Sequence, residues 1–165
     1  MRRGRDNSLK AAALVTNALQ DLIHSHTETF EAMRAGCESP IEELFLAGLM
    51  AASFRHGDCV EFREGSPMNP PKITRPTCFQ QVRVSDFRLD FLLVKPTPEG
   101  YQNIVIECDG HEFHERTPQD ATRDRSRDRF FAARGYIVLR FTGTELAADP
   151  FKCGYEVLKM AVLSP

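Results

Sequence analysis

No apolar run in this 165-residue chain is long enough to span a bilayer. Its opening residues, MRRGRDNS, are basic but lead into no apolar core of the kind a secretion signal needs. The five cysteines are odd in number and unpaired in spacing, so nothing resembles a disulfide framework. A net charge of −2 argues against bulk attraction to a polyanion. Any binding of nucleic acid then needs a local basic patch, offset by acidic residues elsewhere. There is no internal repeat and no sign of a second domain. These absences point to an intracellular, reduced, soluble protein, with the cytoplasm as its expected location. What is present is ordinary for such a protein, at 42% hydrophobic and 27% charged residues. The length suffices for one domain that buries roughly 70% of its unfolded surface.

Two helical patterns open the chain. Leu9, Ala12, Ala13, Thr16, Leu19, Ile23 and Ala32 recur at loosely helical spacing between Ser8 and Met33, with an expected break near Thr27–Thr29 and a stop at Gly36. A second helix has a sharper start. Ser39-Pro40-Ile41-Glu42 supplies a cap, a first-turn proline and a glutamate at the third helical position. Ile41, Leu44, Phe45, Gly48, Leu49 and Ala52 form its apolar stripe, which ends before Gly57. The period then changes. Strands are expected at Cys59–Arg63, Cys78–Val84, Asp86–Lys95, Gln102–Asp109 and Tyr136–Phe141, and a proline-rich loop runs from Gly65 to Thr77. A charged helix is expected at Thr117–Arg134. A last helix starts at Thr142 or Thr144 and is interrupted at Asp149-Pro150. The expected fold is α/β: a mixed sheet of four or five strands flanked by helices, with residues 1–36 as an N-terminal helical extension and 37–165 as one globular unit.

The chemistry concentrates in one hairpin. A turn centred between Pro98 and Glu99 pairs positions whose numbers sum to about 197, which sets Asp90 opposite Glu107 and Arg88 opposite Asp109. Alternation then assigns Phe87, Leu89, Phe91, Leu93, Ile104, Ile106 and Cys108 to an apolar face, and Arg88, Asp90, Val105, Glu107 and Asp109 to the other. Facing carboxylates on paired strands repel. A divalent cation, a shared proton or an arginine such as Arg88 would offset that repulsion. Hard oxygen ligands on rigid strands suit Mg²⁺ or Mn²⁺, with water and a phosphate completing the shell. An arginine–carboxylate network on a half-solvated sheet fits the same spacing.

Asp90-Phe91, a hairpin, and then Ile104-Val105-Ile106-Glu107-Cys108-Asp109-Gly110 resemble the PD-(D/E)XK nuclease superfamily, and most closely its branch of very-short-patch-repair-type endonucleases. Gln81, Asp124-x-x-Arg127 with Phe131 and Gly135, Val138-Leu139-Arg140-Phe141, and Ser39-Pro40-Ile41-Glu42 fall where that branch carries similar features. The resemblance covers about residues 39–146. It implies a restriction-endonuclease-like core and Mg²⁺-dependent hydrolysis of DNA phosphodiesters, with repair or restriction as the setting and DNA as the partner. It implies Asp90 and Glu107 as metal ligands with the Cys108 carbonyl as a third, Glu42 as support from the opening helix, and Asp109, His111 and His114 as groups that orient water or protonate the leaving oxygen. The wider superfamily has a lysine where this chain has Asp109, which removes a cation expected to act on the attacking water or the phosphate.

Each of these residues also has a plainer reading. Glu42 serves as the reciprocal member of a capping box, and His111 and His114 as solvated loop residues. His111-Glu112-Phe113-His114 places its histidines at i and i+3, which is not the zinc-protease spacing. A structural zinc on Cys108, His111 and His114 is disfavoured because Cys108 alternates onto the apolar face. Arg123 and Arg127 are expected phosphate contacts on a helix that otherwise reads as a solvated, ion-paired face. Gln81, Arg88, Lys72 and Arg75 complete the expected nucleic-acid surface. The rival to a nuclease is a catalytically inactive nucleic-acid-binding or assembly module that retains the fold, and Asp109 in the lysine position is its best support.

Overall fold

The computed structural model describes residues 24, 26–63, 65, 72–110 and 118–163, with backbone alone for 118–123 and 163. The first expected helix is described at 24 and 26–34 only, and its upstream part lies outside the described residues. Residues 26–34 are helical without interruption, so the expected break at Thr27–Thr29 is absent: neither threonine forces a turn there. The helix ends at Ala35-Gly36, where the Gly36 amide donates to the Met33 carbonyl at 3.1 Å. The compact unit that carries the sheet begins at Met33.

Helix α1, Pro40–Arg55, starts as its sequence dictates: Ser39 is extended, Pro40 fills the first turn, and the Ser39 hydroxyl accepts from the Glu42 amide. It buries more than a stripe. Phe45, Leu46, Gly48, Leu49, Met50, Ala52 and Ser53 are buried, whereas Leu44, expected inside, is exposed. The arc is wide because α1 packs on two partners. One is the sheet, through Phe45 and Phe91 with ring centres 5.0 Å apart. The other is helix α4 (Pro150–Leu158), where backbones touch: a Cβ on Gly154 would lie 2.4 Å from Gly48 C and Leu49 N.

Five strands form one mixed sheet in chain order: β1 Glu61–Arg63, β2 Thr77–Val84, β3 Phe87–Thr97, β4 Gly100–Asp109 and β5 Ile137–Thr142. β1 runs parallel to β2, β2, β3 and β4 are successively antiparallel, and β5 is parallel to β4 across helix α2, Pro118–Ala132. Phe91↔Ile106 through Thr97↔Gly100 give the β3–β4 register that the Pro98-Glu99 turn implies. That hairpin is longer than expected because Pro96 is tolerated: the β2 ladder stops at Thr77↔Val94, so no partner on that side requires its missing N–H. β3 begins at Phe87, not Asp86, since Ser85 takes a left-handed φ of 55° in the turn from β2. Thr142 caps the short helix α3, Gly143–Ala148, in a capping box with Glu145, and Asp149 caps α4 at the expected interruption.

The face assignment of β3 needs correction. Phe87 and Leu89 do not lie with Phe91 and Leu93. They join Val82, Leu92, Val94, Val105 and Phe131 in the core beneath α2, while Phe91 turns to Phe45 of α1. The pleat therefore changes phase between Leu89 and Leu92. β2 does the same between Phe79 and Val82, both of which lie in the α2 core. The change falls at Gln81, whose φ is +52°, and at Asp90, which faces it: Gln80↔Phe91 and Val82↔Leu89 are paired, and the intervening level drops out of the ladder. Register survives; alternation does not. No described helix is long and apolar enough to cross a membrane.

Candidate active site

Asp90 and Glu107 stand where the sheet opens. The β3–β4 ladder runs as far as Phe91↔Ile106, and the next level in the same register is Asp90 with Glu107. Asp90 Oδ2 accepts the Cys108 amide at 2.8 Å, which ties β3 to β4 through a side chain in place of a ladder bond. Burial pushes the Asp90 carboxyl above its ordinary range; the Cys108 amide and Arg127 oppose this, while Glu42 and Asp109 reinforce it.

Glu107 is buried, at 6% exposure, and faces α2. Its Oε1 accepts from Arg127 Nη2, and the same guanidinium nitrogen donates to the Arg88 carbonyl at 3.0 Å. Desolvation nevertheless lifts its carboxyl to about 7; Arg127 and Arg140 pull it down and Asp90 raises it. The arginine that answers Glu107 is therefore Arg127, not Arg88. Because of the pleat change, the Arg88 side chain goes to Glu38, with which it forms an ion pair, and to Gln81 Oε1, where its Nε donates at 2.8 Å.

Glu42 is 6% exposed on the first turn of α1. Its Oε1 accepts from Ser39 Oγ at 2.7 Å, and its Oε2 accepts from the Glu38 amide at 2.9 Å and from Gln81 Nε2 at 2.7 Å. Capping and proximity to Asp90 thus coexist: the carboxylate reaches one residue further back than a capping box does, and its charge still acts on Asp90. Asp109, half-buried at the end of β4, lies beside Thr142 of β5.

Glu42, Gln81, Arg88, Asp90, Glu107, Cys108, Asp109 and Arg127 thus gather at one end of the sheet. Cys108 is buried, its thiol pushed far up by desolvation and the surrounding carboxylates. Lys72 and Arg75 do not join them. They precede Thr77, which pairs with Val94 about 13 Å along the strand from the Asp90 level. Arg75 there donates to the Asp58 carbonyl. His111, His114 and the Arg123 side chain lie outside the described residues.

Two contributors were not singled out from the sequence. Arg140 pairs in register with Glu107 across β4–β5 and donates to Asp128 Oδ1 at 2.9 Å. An arginine between Leu139 and Phe141 in an apolar strand was the available signal. Glu38, the partner of Arg88, left none.

Among the described residues, no three His, Cys, Asp or Glu side chains are gathered as a ready metal cage. Two hard carboxylates that keep an elevated proton affinity although Arg127 pairs with one of them do suit an ion that takes its other ligands from water and phosphate. Neither the curated proteins nor the solved structures compared with the chain gave a match. The model of the family REase_MTES_1575 does match, over residues 75–160, a span that contains β2 through α4 and therefore Gln81, Asp90, Glu107 and Arg127. With more than half of its length matched, and the site inside the match, the chain belongs to this restriction-endonuclease-like family.

Proposed function

We propose that the protein is a divalent-metal-dependent DNA endonuclease, with Asp90 and Glu107 as the ligands of an Mg²⁺ or Mn²⁺ ion. Family membership points to a nuclease; the metal and the substrate are our reading. One observation carries it. A buried carboxylate, Glu107, and a half-buried one, Asp90, on adjacent strands remain hard to ionise although an amide and a guanidinium already serve them. A site that keeps such a pair gains most from a further positive charge.

When bound, a divalent cation supplies Lewis acidity at a phosphoryl oxygen and makes a water more acidic. The chain's own groups do the rest. The Cys108 amide fixes the Asp90 carboxylate, and the Cys108 carbonyl is a further oxygen donor. Glu42 lends negative charge from α1 while Ser39, Glu38 and Gln81 hold its rotamer. Arg127 and Arg88 offer guanidinium groups for the DNA backbone, and Arg123 on the same helix is assigned the same role. Asp109, His111 and His114 orient water or protonate the leaving oxygen. Within the family's wider relatives, Glu107-x-Asp109-Gly110 favours the very-short-patch-repair-type branch, and with it repair or restriction of DNA.

Nicking of supercoiled plasmid tests this. Wild type should cut with Mg²⁺ or Mn²⁺ and not with EDTA, and Asp90→Ala and Glu107→Ala, shown to be folded, should each lose at least about a hundredfold in rate. Equal inactivity of all three on duplex, single-stranded and mismatched DNA, with equal DNA binding, would favour the inactive binding module that Asp109 in the lysine position supports.

A further inference from the structure

We propose that Gln81 is a positioning residue: its left-handed backbone in the middle of β2 shifts the pleat of β3 at Asp90, and its amide holds Glu42 and Arg88 at that level. This rests on the nuclease reading above and names a device within that same site.

The backbone observation comes first. Among the described residues three that are not glycine have positive φ: Asp58, Ser85 and Gln81. Asp58 and Ser85 sit in turns and bends, where such a conformation is ordinary, but Gln81 has a φ of +52° with strand on either side of it. Glutamine has no special tolerance for that region, so the surrounding structure must impose it. It is imposed where β2 and β3 change face together. Leu89 and Leu92 both enter the α2 core, as do Phe79 and Val82, whereas an unbroken alternation would send one of each pair to the opposite face.

The consequence falls on Asp90. With Gln81 and Asp90 both out of the β2–β3 ladder, the aspartate is within the fields of groups from both helical layers. Glu42 of α1 and Arg127 of α2 each act on its charge, and Asp90 Oδ2 takes the Cys108 amide. A regular strand would commit Asp90 to one face and remove it from one of these partners. The amide of Gln81 then completes the arrangement: Nε2 donates to Glu42 Oε2 at 2.7 Å and Oε1 accepts from Arg88 Nε at 2.8 Å. Both ends of the amide are engaged inside the protein. Its first task is thus to hold other side chains, not to contact a base or a phosphate.

The test compares full-length wild type with Gln81→Gly, Gln81→Ala and Gln81→Val. Glycine and alanine both delete the amide, and they differ in the ease of a positive φ. Three readouts apply: Mg²⁺ binding by calorimetry without DNA, the amide chemical shift of Cys108 in the metal-free protein, and kcat against KM on plasmid. We expect Gln81→Ala to bind Mg²⁺ about fivefold more weakly than Gln81→Gly, and Gln81→Val more weakly still. The Cys108 amide should stay near its wild-type position in Gln81→Gly and move in Gln81→Ala. Losses in cleavage should fall on kcat, with KM within about twofold. Should Gln81→Val fail to fold, the glycine–alanine pair decides. Equal Mg²⁺ binding and equal Cys108 shifts in that pair overturn the proposal alone, and so does a rise in KM with kcat and Mg²⁺ binding unchanged, the mark of a DNA contact. A wild-type chain that neither binds Mg²⁺ nor cuts DNA overturns the nuclease reading, and this inference with it.

Discussion

Replacing Glu107 by glutamine should make the metal-free protein more stable at alkaline pH while abolishing cleavage. The buried carboxyl has an ordinary value of 4.5 and is lifted to about 7 in the folded chain, first by desolvation and despite Arg127. The folded state therefore holds a proton that the unfolded state releases. This contribution to stability is fully present below about pH 4.5, is lost as pH rises through 7, and stays lost above it. At 1.36 kcal/mol for each tenfold change in proton affinity, the ionised carboxylate costs the fold about 3 kcal/mol at pH 8.5. Glutamine keeps the shape and an oxygen for Arg127 but never ionises. Glu107→Gln should therefore nearly match wild type at pH 4.5 and exceed it by about 3 kcal/mol at pH 8.5. For a domain of this size that raises Tm by roughly 5–10 °C.

Urea titrations and thermal melts of both proteins in EDTA, at pH 4.5, 6, 7 and 8.5, measure the difference directly. Carboxylates remote from Glu107 are common to both proteins and cancel; Asp90, whose charge acts on Glu107, ionises more readily in the variant and adds to the difference in the same direction. Adding millimolar Mg²⁺ at pH 8.5 should raise the stability of wild type and leave the variant where it was, since only the former supplies both anionic ligands. A variant less stable than wild type at pH 8.5, or a difference that does not change with pH, would refute the reasoning. Either result would mean that Arg127 outweighs burial and that the pair is a structural ion bridge with no need of a metal.

Three further perturbations probe the frame that carries the site. Gly154→Ala places a methyl 2.4 Å from the α1 backbone and should cost about 1–3 kcal/mol, visible as a Tm lower by roughly 2–10 °C. Phe91→Ala removes a fully buried ring from between β3 and Phe45 and should cost about 3–5 kcal/mol by urea denaturation. Ser39→Ala removes the α1 cap and a 2.7 Å donor to Glu42 Oε1, with an expected loss of about 1–2 kcal/mol; a Ser39→Thr variant should recover most of it.

Much of the frame was legible because local rules and tertiary packing agree. Ser39-Pro40 starts α1, the Pro98-Glu99 turn fixes the β3–β4 register, and Asp149-Pro150 separates two short helices, each as side-chain chemistry demands. Three features were hidden. Pro96 extends β3 only because β2 has already ended beside it, a fact about a neighbour and not about the segment itself. The wide buried arc of α1 reflects its second partner, which meets it at Gly48 and Leu49, and α4 lies a hundred residues away. The pleat change at Gln81 has no signature in composition, for it occurs at a residue type with no preference for positive φ. Period-2 reasoning assumes one phase along a strand. Here it placed Arg88 with Glu107, whereas the contacts give Arg88 to Glu38 and Gln81.

That single error decides how the charge problem at the hairpin is framed. With Arg88 on the same face as Glu107, a strand arginine could have answered the carboxylates locally. The guanidinium that bonds Glu107 comes from α2, across the layer, and it donates a hydrogen bond to Glu107 while acting on Asp90 through its charge alone. A guanidinium offers donors and no acceptor, so Arg127 can stabilise negative charge but cannot serve as the base. The position two residues after Glu107, where the wider nuclease superfamily has lysine, holds an acid in this chain. On the nuclease reading proposed above, positive charge and proton transfer would be divided: Arg127 would hold the first, and the second would fall to Asp109 or to His111 and His114. Arg127→Gln and Asp109→Asn should then fail in different ways. Loss of the arginine should slow cleavage across the whole pH range, because it removes a positive charge and no proton acceptor. Loss of Asp109, if it is the base, should flatten the acidic limb of the pH–rate profile. An acidic limb unchanged in Asp109→Asn would assign the proton to the histidines, and His111→Ala and His114→Ala would then have to remove it.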